Sequence, residues 1–177
     1  MSRAVLISIR PEWVEKILAG KKTLEVRKNR PRLELPFKCY IYETQGRTET
    51  PWIDEDGHKI FKGRGQVIGE FLCDTIWPIQ VECSSPVALG AGIEIPGTCL
   101  TDRKILEYLG NGKRGFAWHI SNLKIYDTPK PLNAFKGLCK IEADCGCCPY
   151  YNYTKMDCDG RTIKRPPQSW CYVEELQ

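Results

Sequence analysis

Residues 17–27, Ile-Leu-Ala-Gly-Lys-Lys-Thr-Leu-Glu-Val-Arg, restrict what this chain can fold into more than any other stretch, because the apolar pattern changes period across a single glycine. Upstream, Pro11 suits the first turn of a helix, where its missing N–H would have no partner in any case, and Gly20 suits a left-handed stop. About two and a half turns of helix fit between them. Trp13, Val14, Ile17 and Leu18 recur at one-turn spacing and predict an apolar face, with Glu12, Glu15 and Lys16 directed elsewhere. From Thr23 the chain alternates instead. Leu24 and Val26 predict the core face of a strand, and Thr23, Glu25 and Arg27 its opposite face, polar and of mixed charge.

The rest of the chain reads mainly as strands. Residues 3–9 predict a buried strand before the helix, and residues 37–43 another, with Tyr40 and Tyr42 on one face and Cys39 and Ile41 on the other. Residues 44–65 are rich in glycine and acidic residues and predict a long loop or hairpin. In the apolar strand of residues 66–76, Glu70 has three readings: a surface residue, a cross-strand partner for a Lys or Arg, or a carboxylate facing a cleft. A second helix opens at Leu100-Thr101-Asp102, with Thr101 as cap and Gly110 as stop. Phe116, Trp118 and Ile120 then alternate with Ala117, His119 and Ser121 in a two-faced strand. Pro166 and Pro167 stiffen the approach to a last strand through Trp170.

Charge adds one constraint. The net charge is only +4, yet residues 1–32 hold nine Lys/Arg against three Glu, so the basic charge is concentrated at the N-terminal end. Such a local excess attracts phosphate polyanions whatever the overall balance, and it equally suits a solvated basic face. No stretch approaches the roughly 18 apolar residues of a spanning helix, and the start lacks the pattern of a secretory signal. The expectation is a cytoplasmic protein with no membrane partner and no obvious protein partner. Its 177 residues suit one domain with an appendage.

Taken together, the apolar strand of residues 4–9, Arg10-Pro11, the short helix, Gly20-Lys21-Lys22-Thr23 and Leu24-Glu25-Val26-Arg27 resemble the opening of an ASCH domain, a relative of the PUA fold. The resemblance extends over residues 1–132, with 66–71 and 115–121 as barrel strands, and leaves 133–177 as a Cys-rich C-terminal extension. It implies an α+β fold, a PUA-like small β-barrel with flanking helices and a Cys-rich lobe. It also implies an RNA- or nucleotide-binding cleft beside the Gly-Lys segment, with Arg10, Lys21, Lys22, Thr23, Glu25 and Arg27 as ligand-binding candidates. Trp118 offers a stacking surface, His119 a phosphate donor or a general acid–base, and Trp170 a stacking contact at the rim. Each of these three also suits a structural role.

A second function class follows from the same resemblance. Small bacterial members of the family hydrolyse an acyl amide on modified cytidine, which leaves open an amidohydrolase acting on a modified nucleoside such as an N4-acylated cytidine. Lys22 matches their catalytic lysine, and Glu25 stands where they have a threonine. In that reading Lys22 activates water or a hydroxyl and Glu25 orients it. A plain ion pair between the two is the structural alternative.

The C-terminal part has its own chemistry. Six of the ten cysteines, Cys139, Cys145, Cys147, Cys148, Cys158 and Cys171, follow residue 138. In a cytosolic chain such clustering points to metal before disulfides. The two-residue gap between Cys145 and Cys148 lets both thiolates reach one tetrahedral zinc, with Cys158 returning to it. Cys139, Cys147 and Cys171 all qualify as the fourth ligand, of which Cys139 is the choice here, and a set of ordinary thiols is the alternative.

Overall fold

A computed structural model of the chain describes residues 2–46, 52–53, 59–60, 63–82, 85–88, 96–110, 112–139, 151–152, 157–158 and 161–176. In order, these form β1 (Arg3–Ile9), α1 (Pro11–Leu18), β2 (Leu24–Arg27), β3 (Phe37–Glu43), β4 (Trp52–Ile53), β5 (Lys59–Ile60), β6 (Gln66–Cys73), β7 (Ile76–Glu82) and β8 (Ser85–Ala88). Then come α2 (Asp102–Leu109), β9 (Arg114–His119), β10 (Ser121–Lys130), a 3-10 turn (Leu132–Ala134), β11 (Tyr151–Asn152), β12 (Asp157–Cys158) and β13 (Trp170–Glu174).

The described strands form a larger sheet, β10-β6-β3-β1-β13, a second sheet, β2-β9-β7-β8, and two small pairs, β4-β5 and β11-β12. The mixed α+β class expected from the sequence is what forms. The closed small barrel is not: among the described residues no ladder joins the two sheets. The reason lies at two neighbouring corners. Between β6 and β7, and between β9 and β10, the chain leaves one sheet for the other, and the bonds at these corners stay with the second sheet: His119 N–H to the Thr75 carbonyl continues the β7–β9 pairing and Ile120 N–H to the Thr23 carbonyl the β2–β9 pairing, each 2.9 Å.

Residues from both ends of the chain share the larger sheet. β1 pairs in parallel with β3 on one side and antiparallel with β13 on the other, so Leu6 lies opposite Tyr40 and Cys171. Buried on both faces, this sheet has two cores. Val5, Ile7, Cys39, Ile41 and Trp118 fill one with Val14 and Ile17 of α1; Ala4, Leu6, Tyr40, Tyr42, Phe135 and Val173 fill the other. A third core packs Leu24, Val26 and Ala117 of the second sheet against Ile105 and Leu109 of α2. The alternation read for Tyr40/Tyr42 and Cys39/Ile41 is therefore real, although both faces are covered. Glu70 takes its cross-strand reading, 3.7 Å from Lys38 Nζ and accepting from the Tyr126 hydroxyl at 2.5 Å. No helix among the described residues is long and apolar enough to cross a membrane.

The two helices form where their caps predict. Thr101 Oγ1 accepts from Lys104 N–H at the start of α2, and Gly110 ends it. In α1, Val14 and Ile17 are buried and Trp13 is half-buried, but Leu18 is 44% exposed, because the helix ends there and turns away from the core. At that end the Gly20 N–H bonds to the Ile17 carbonyl at 3.0 Å and the Lys21 N–H to the Lys16 carbonyl at 2.9 Å. This double closure requires a left-handed residue, and Gly20 has φ +69°. A methyl group at Gly20 would meet no neighbour, so only backbone strain opposes a side chain there. Gly20→Ala should lower stability by about 1–2 kcal/mol in urea unfolding; an unchanged midpoint would mean that position 20 is not held left-handed.

Candidate functional site

The helix stop also positions the first functional side chain. The Lys16 carbonyl accepts from the Lys22 N–H as well as from Lys21, each at 2.9 Å, which folds the turn back against α1. On its other side the turn is clamped by Gly97, whose carbonyl accepts from Thr23 and Leu24 N–H at 2.9 and 3.0 Å. Gly97 must be glycine, since its φ is +85° and a Cβ would lie 2.3 Å from Thr23 Oγ1. Held between these two anchors, Lys22 turns inward and is 2% exposed.

Lys22, Glu25 and Arg27 form one buried cluster. Lys22 Nζ donates to the Leu24 carbonyl at 2.8 Å and the Thr98 carbonyl at 2.7 Å, and lies 3.3 Å from Glu25 Oε2. Arg27 Nη2 reaches Glu25 Oε1 at 2.9 Å and donates to the Ser8 carbonyl at 2.7 Å. Its Nη1 donates to Ser169 Oγ at 3.2 Å and the Ser169 carbonyl at 3.4 Å. Ser8 in turn donates from Oγ to the Pro167 carbonyl at 2.6 Å. Glu25 and Arg27 are 6% and 7% exposed, so two cations share one carboxylate away from bulk water. Period 2 placed both on one face, as the sequence indicated; the second sheet is covered on that face too, so the polar face is interior rather than open.

The cluster is not saturated. Among the described residues, Glu25 Oε2, Arg27 Nε and Trp118 Nε1 are buried without a hydrogen-bond partner; the contact of Glu25 Oε2 with Lys22 is an ion pair outside hydrogen-bond geometry. Trp118 lies opposite Glu25 in the β2–β9 ladder and therefore on the same face. Buried polar atoms without partners are uncommon, and here three belong to one face.

The other candidates divide. Trp118 is fully buried and meets Phe37 and Trp170 edge-on at 5.9 Å each, so its ring serves the core, and half-buried Trp170 packs beside it. His119 points away from this face. It is 36% exposed, shares a 2.7 Å hydrogen bond from Nδ1 with Asp74 Oδ1, and stands 6.0 Å from the Trp77 ring. That bond to His119 is the main cause holding the Asp74 carboxyl below its ordinary value. Arg10, Lys21 and Thr23 are exposed around the buried cluster.

Ser8, Ser169 and Thr98 carry no sequence signal for this site, because all three act through backbone carbonyls or a short hydroxyl brought in by remote segments. Of the four zinc candidates, Cys145 and Cys148 lie outside the described residues, as does the side chain of Cys158. Cys139 is exposed. Among the described residues no group of three or more His, Cys, Asp or Glu side chains is placed to hold a metal.

Removing one member of a buried ion cluster strands the others, which costs about 3–5 kcal/mol where the loss is complete. Glu25→Gln keeps the shape but leaves Lys22 and Arg27 without a counter-charge. Its unfolding free energy should fall by about 3 kcal/mol or more, and Glu25→Gln combined with Lys22→Met should recover part of that loss. Equal, additive losses would show that the two side chains do not interact.

Residues 7–70 match the family model of the ASCH domain. No curated protein matches the sequence. Among solved structures, the ASCH protein of Zymomonas mobilis is similar at 17% identity, with 97% of this chain and 88% of that one covered and a TM-score of 0.54. Two single-residue variants of the same protein are similar at 17% identity and TM-scores of 0.57 and 0.56, covering 91% and 89% of those chains. At this identity the likeness is one of fold.

Proposed function

We propose that this chain, which carries an ASCH domain over residues 7–70, binds RNA or a nucleotide at the Lys22–Glu25–Arg27 cluster and the basic surface around it. The observation that carries the reading is the excess positive charge in a buried site whose polar atoms are incompletely paired. An anionic ligand offsets that excess, and the exposed Arg10, Lys21, Lys28 and Arg30 extend the same potential outward. Glu25 gives the site an acceptor for base or sugar donors, and the cations favour phosphate.

Hydrolysis of an N4-acylated cytidine is less well supported by the same geometry. The Lys22 ammonium is already directed at the Leu24 carbonyl, the Thr98 carbonyl and Glu25. Acting as a base or nucleophile would require it to give up one of these, whereas binding uses the lysine as it stands.

Anisotropy titrations of mixed-sequence single-stranded RNA and a nucleotide panel over a range of salt test the binding reading. Wild type should bind with a strong salt dependence, and Lys21→Gln, an exposed change, should weaken RNA of every sequence and flatten the log–log slope by about 0.7 if one phosphate contact is lost. Absence of binding to both RNA and nucleotides at low salt would overturn the reading.

We also infer a structural zinc held by Cys145, Cys148, Cys158 and Cys139. The pairing of β11 with β12 supports it, because Cys158 lies opposite Tyr151, and Cys148 precedes Tyr151 by three positions in the chain. A thiolate set of this kind would tie the C-terminal segment together without entering the binding chemistry. Purified protein should contain about one zinc per chain. Metal-free protein that is equally stable, with all its C-terminal thiols readily titrated, would exclude that role.

A further inference from the structure

We propose that Trp77 and His119, the latter held by Asp74, form a second contact for RNA, in which the indole stacks on a base and the imidazole accepts from the ribose 2′-hydroxyl. It deepens the binding reading above, on which it rests, by choosing RNA over DNA as the partner. The three residues come from the corner between β6 and β7, the start of β7 and the end of β9. Trp77 lies opposite Ala117 in the β7–β9 ladder, and Ala117 is two positions before His119, so the indole and the imidazole share one face of the second sheet. On that face Ile79 and Ala117 are buried together with Ile105 and Leu109 of α2. Trp77 is instead 39% exposed, and its ring centre is 6.0 Å from that of the partly exposed His119.

The proton on His119 is placed by its partner. Nδ1 is 2.7 Å from Asp74 Oδ1, and an ionised carboxylate can only accept, so Nδ1 donates and Nε2 of the neutral ring presents its lone pair. The same bond holds the Asp74 carboxyl below its ordinary value and so keeps it ionised at neutral pH. His119 N–H, bonded to the Thr75 carbonyl at 2.9 Å, fixes this end of β9 against the corner that carries Asp74. Among the described residues Nε2 has no hydrogen-bond partner.

An acceptor of fixed direction beside an accessible indole suits a ligand with a flat ring and a neighbouring hydroxyl donor. A ribonucleotide has both. Any base can stack on an aromatic face, and the 2′-hydroxyl can donate, which a deoxyribose cannot do. A phosphate suits the pair less well, since the Nε2 lone pair offers it no proton and Asp74 offsets the charge of a protonated ring.

The contact is also continuous with the basic turn. His119 lies opposite Leu24 in the β2–β9 ladder, and the Thr23 carbonyl accepts from Ile120 N–H at 2.9 Å. The end of β9 therefore adjoins the turn that carries the exposed Lys21 and Thr23. From β2 across β9 to β7 is two strand spacings, about 10 Å, which roughly three nucleotides of a stacked strand span. A strand with a phosphate at Lys21 can thus place a base on Trp77.

Anisotropy titrations at low salt with one mixed sequence, made as RNA, as 2′-fluoro RNA and as DNA, test the contact, because the fluorine keeps a ribose-like sugar but has no proton to donate. Wild type should prefer RNA over both other strands by about threefold or more. His119→Phe should bind all three alike, and Trp77→Leu should weaken all three by about fivefold or more. Asp74→Asn, whose amide can donate to Nδ1 and so move the ring proton to Nε2, should lower the preference for RNA. Circular dichroism would confirm that all variants fold.

Equal binding of RNA and DNA by wild type, or a preference for RNA that survives His119→Phe, would overturn this contact. Weakening by Lys21→Gln would in that case leave the binding reading standing on the buried cluster and its basic surface. No binding of any of the three strands would overturn both. A preference for RNA that depends on His119 and Trp77 but not on Lys21 would keep this contact and remove the basic turn from the binding reading.

Discussion

The fold depends most on one charged contact, the guanidinium of Arg27 held between Glu25 on its own strand and the Ser8 carbonyl on β1. β1 and β2 belong to different sheets, and among the described residues no backbone ladder connects those sheets. Arg27 bridges them by side-chain hydrogen bonds instead, and its second nitrogen brings in Ser169, from the segment that leads into β13. Buried charge is costly to desolvate, so such a bridge persists only where partners surround it on several sides. The Gly20 stop, the Gly97 clamp and the returning C-terminal strand are what supply those partners.

The same arrangement gives the site its chemical character. Because two cations share one carboxylate, the interior has a positive bias that the fold tolerates but does not fully neutralise. The surrounding exposed cations have the same sign, so the bias extends from the buried cluster to the surface. In the binding function proposed above, specificity and attraction fall to different groups: Glu25 to discriminate between hydrogen-bond donors, and the lysines and arginines to act on any phosphate.

Burial on both faces also explains which residues the site excludes. Trp118 is adjacent to Glu25 in the ladder, yet Phe37 and Trp170 enclose its ring, so it shapes the floor of the cluster rather than a stacking surface. His119, one residue further along β9, projects to the opposite side and joins Asp74 and Trp77. The period of a strand makes this separation unavoidable for neighbouring residues.

Local sequence determined the parts that depend on local physics. Pro11 and Gly20 set the limits of α1, Thr101 and Gly110 those of α2, and alternation put Glu25 and Arg27 on one face of β2. The apolar pattern of α1 set Lys16 apart from the Trp13 face, yet the two lie one helical turn apart and the long lysine stem brings its ammonium to 5.2 Å from the ring centre. What the sequence could not contain was which remote segments would meet that face. Lys104 joins Trp13 from a helix about ninety positions away, and the Thr98, Ser8 and Ser169 oxygens that complete the buried cluster arrive from three different loops and strands. Whether a polar face is a cleft or an interior, and whether strands close into a barrel or stop as two sheets, depends on long-range packing and on where the chain turns its corners. Those are properties of the assembled layers, and no periodicity along a single strand encodes them.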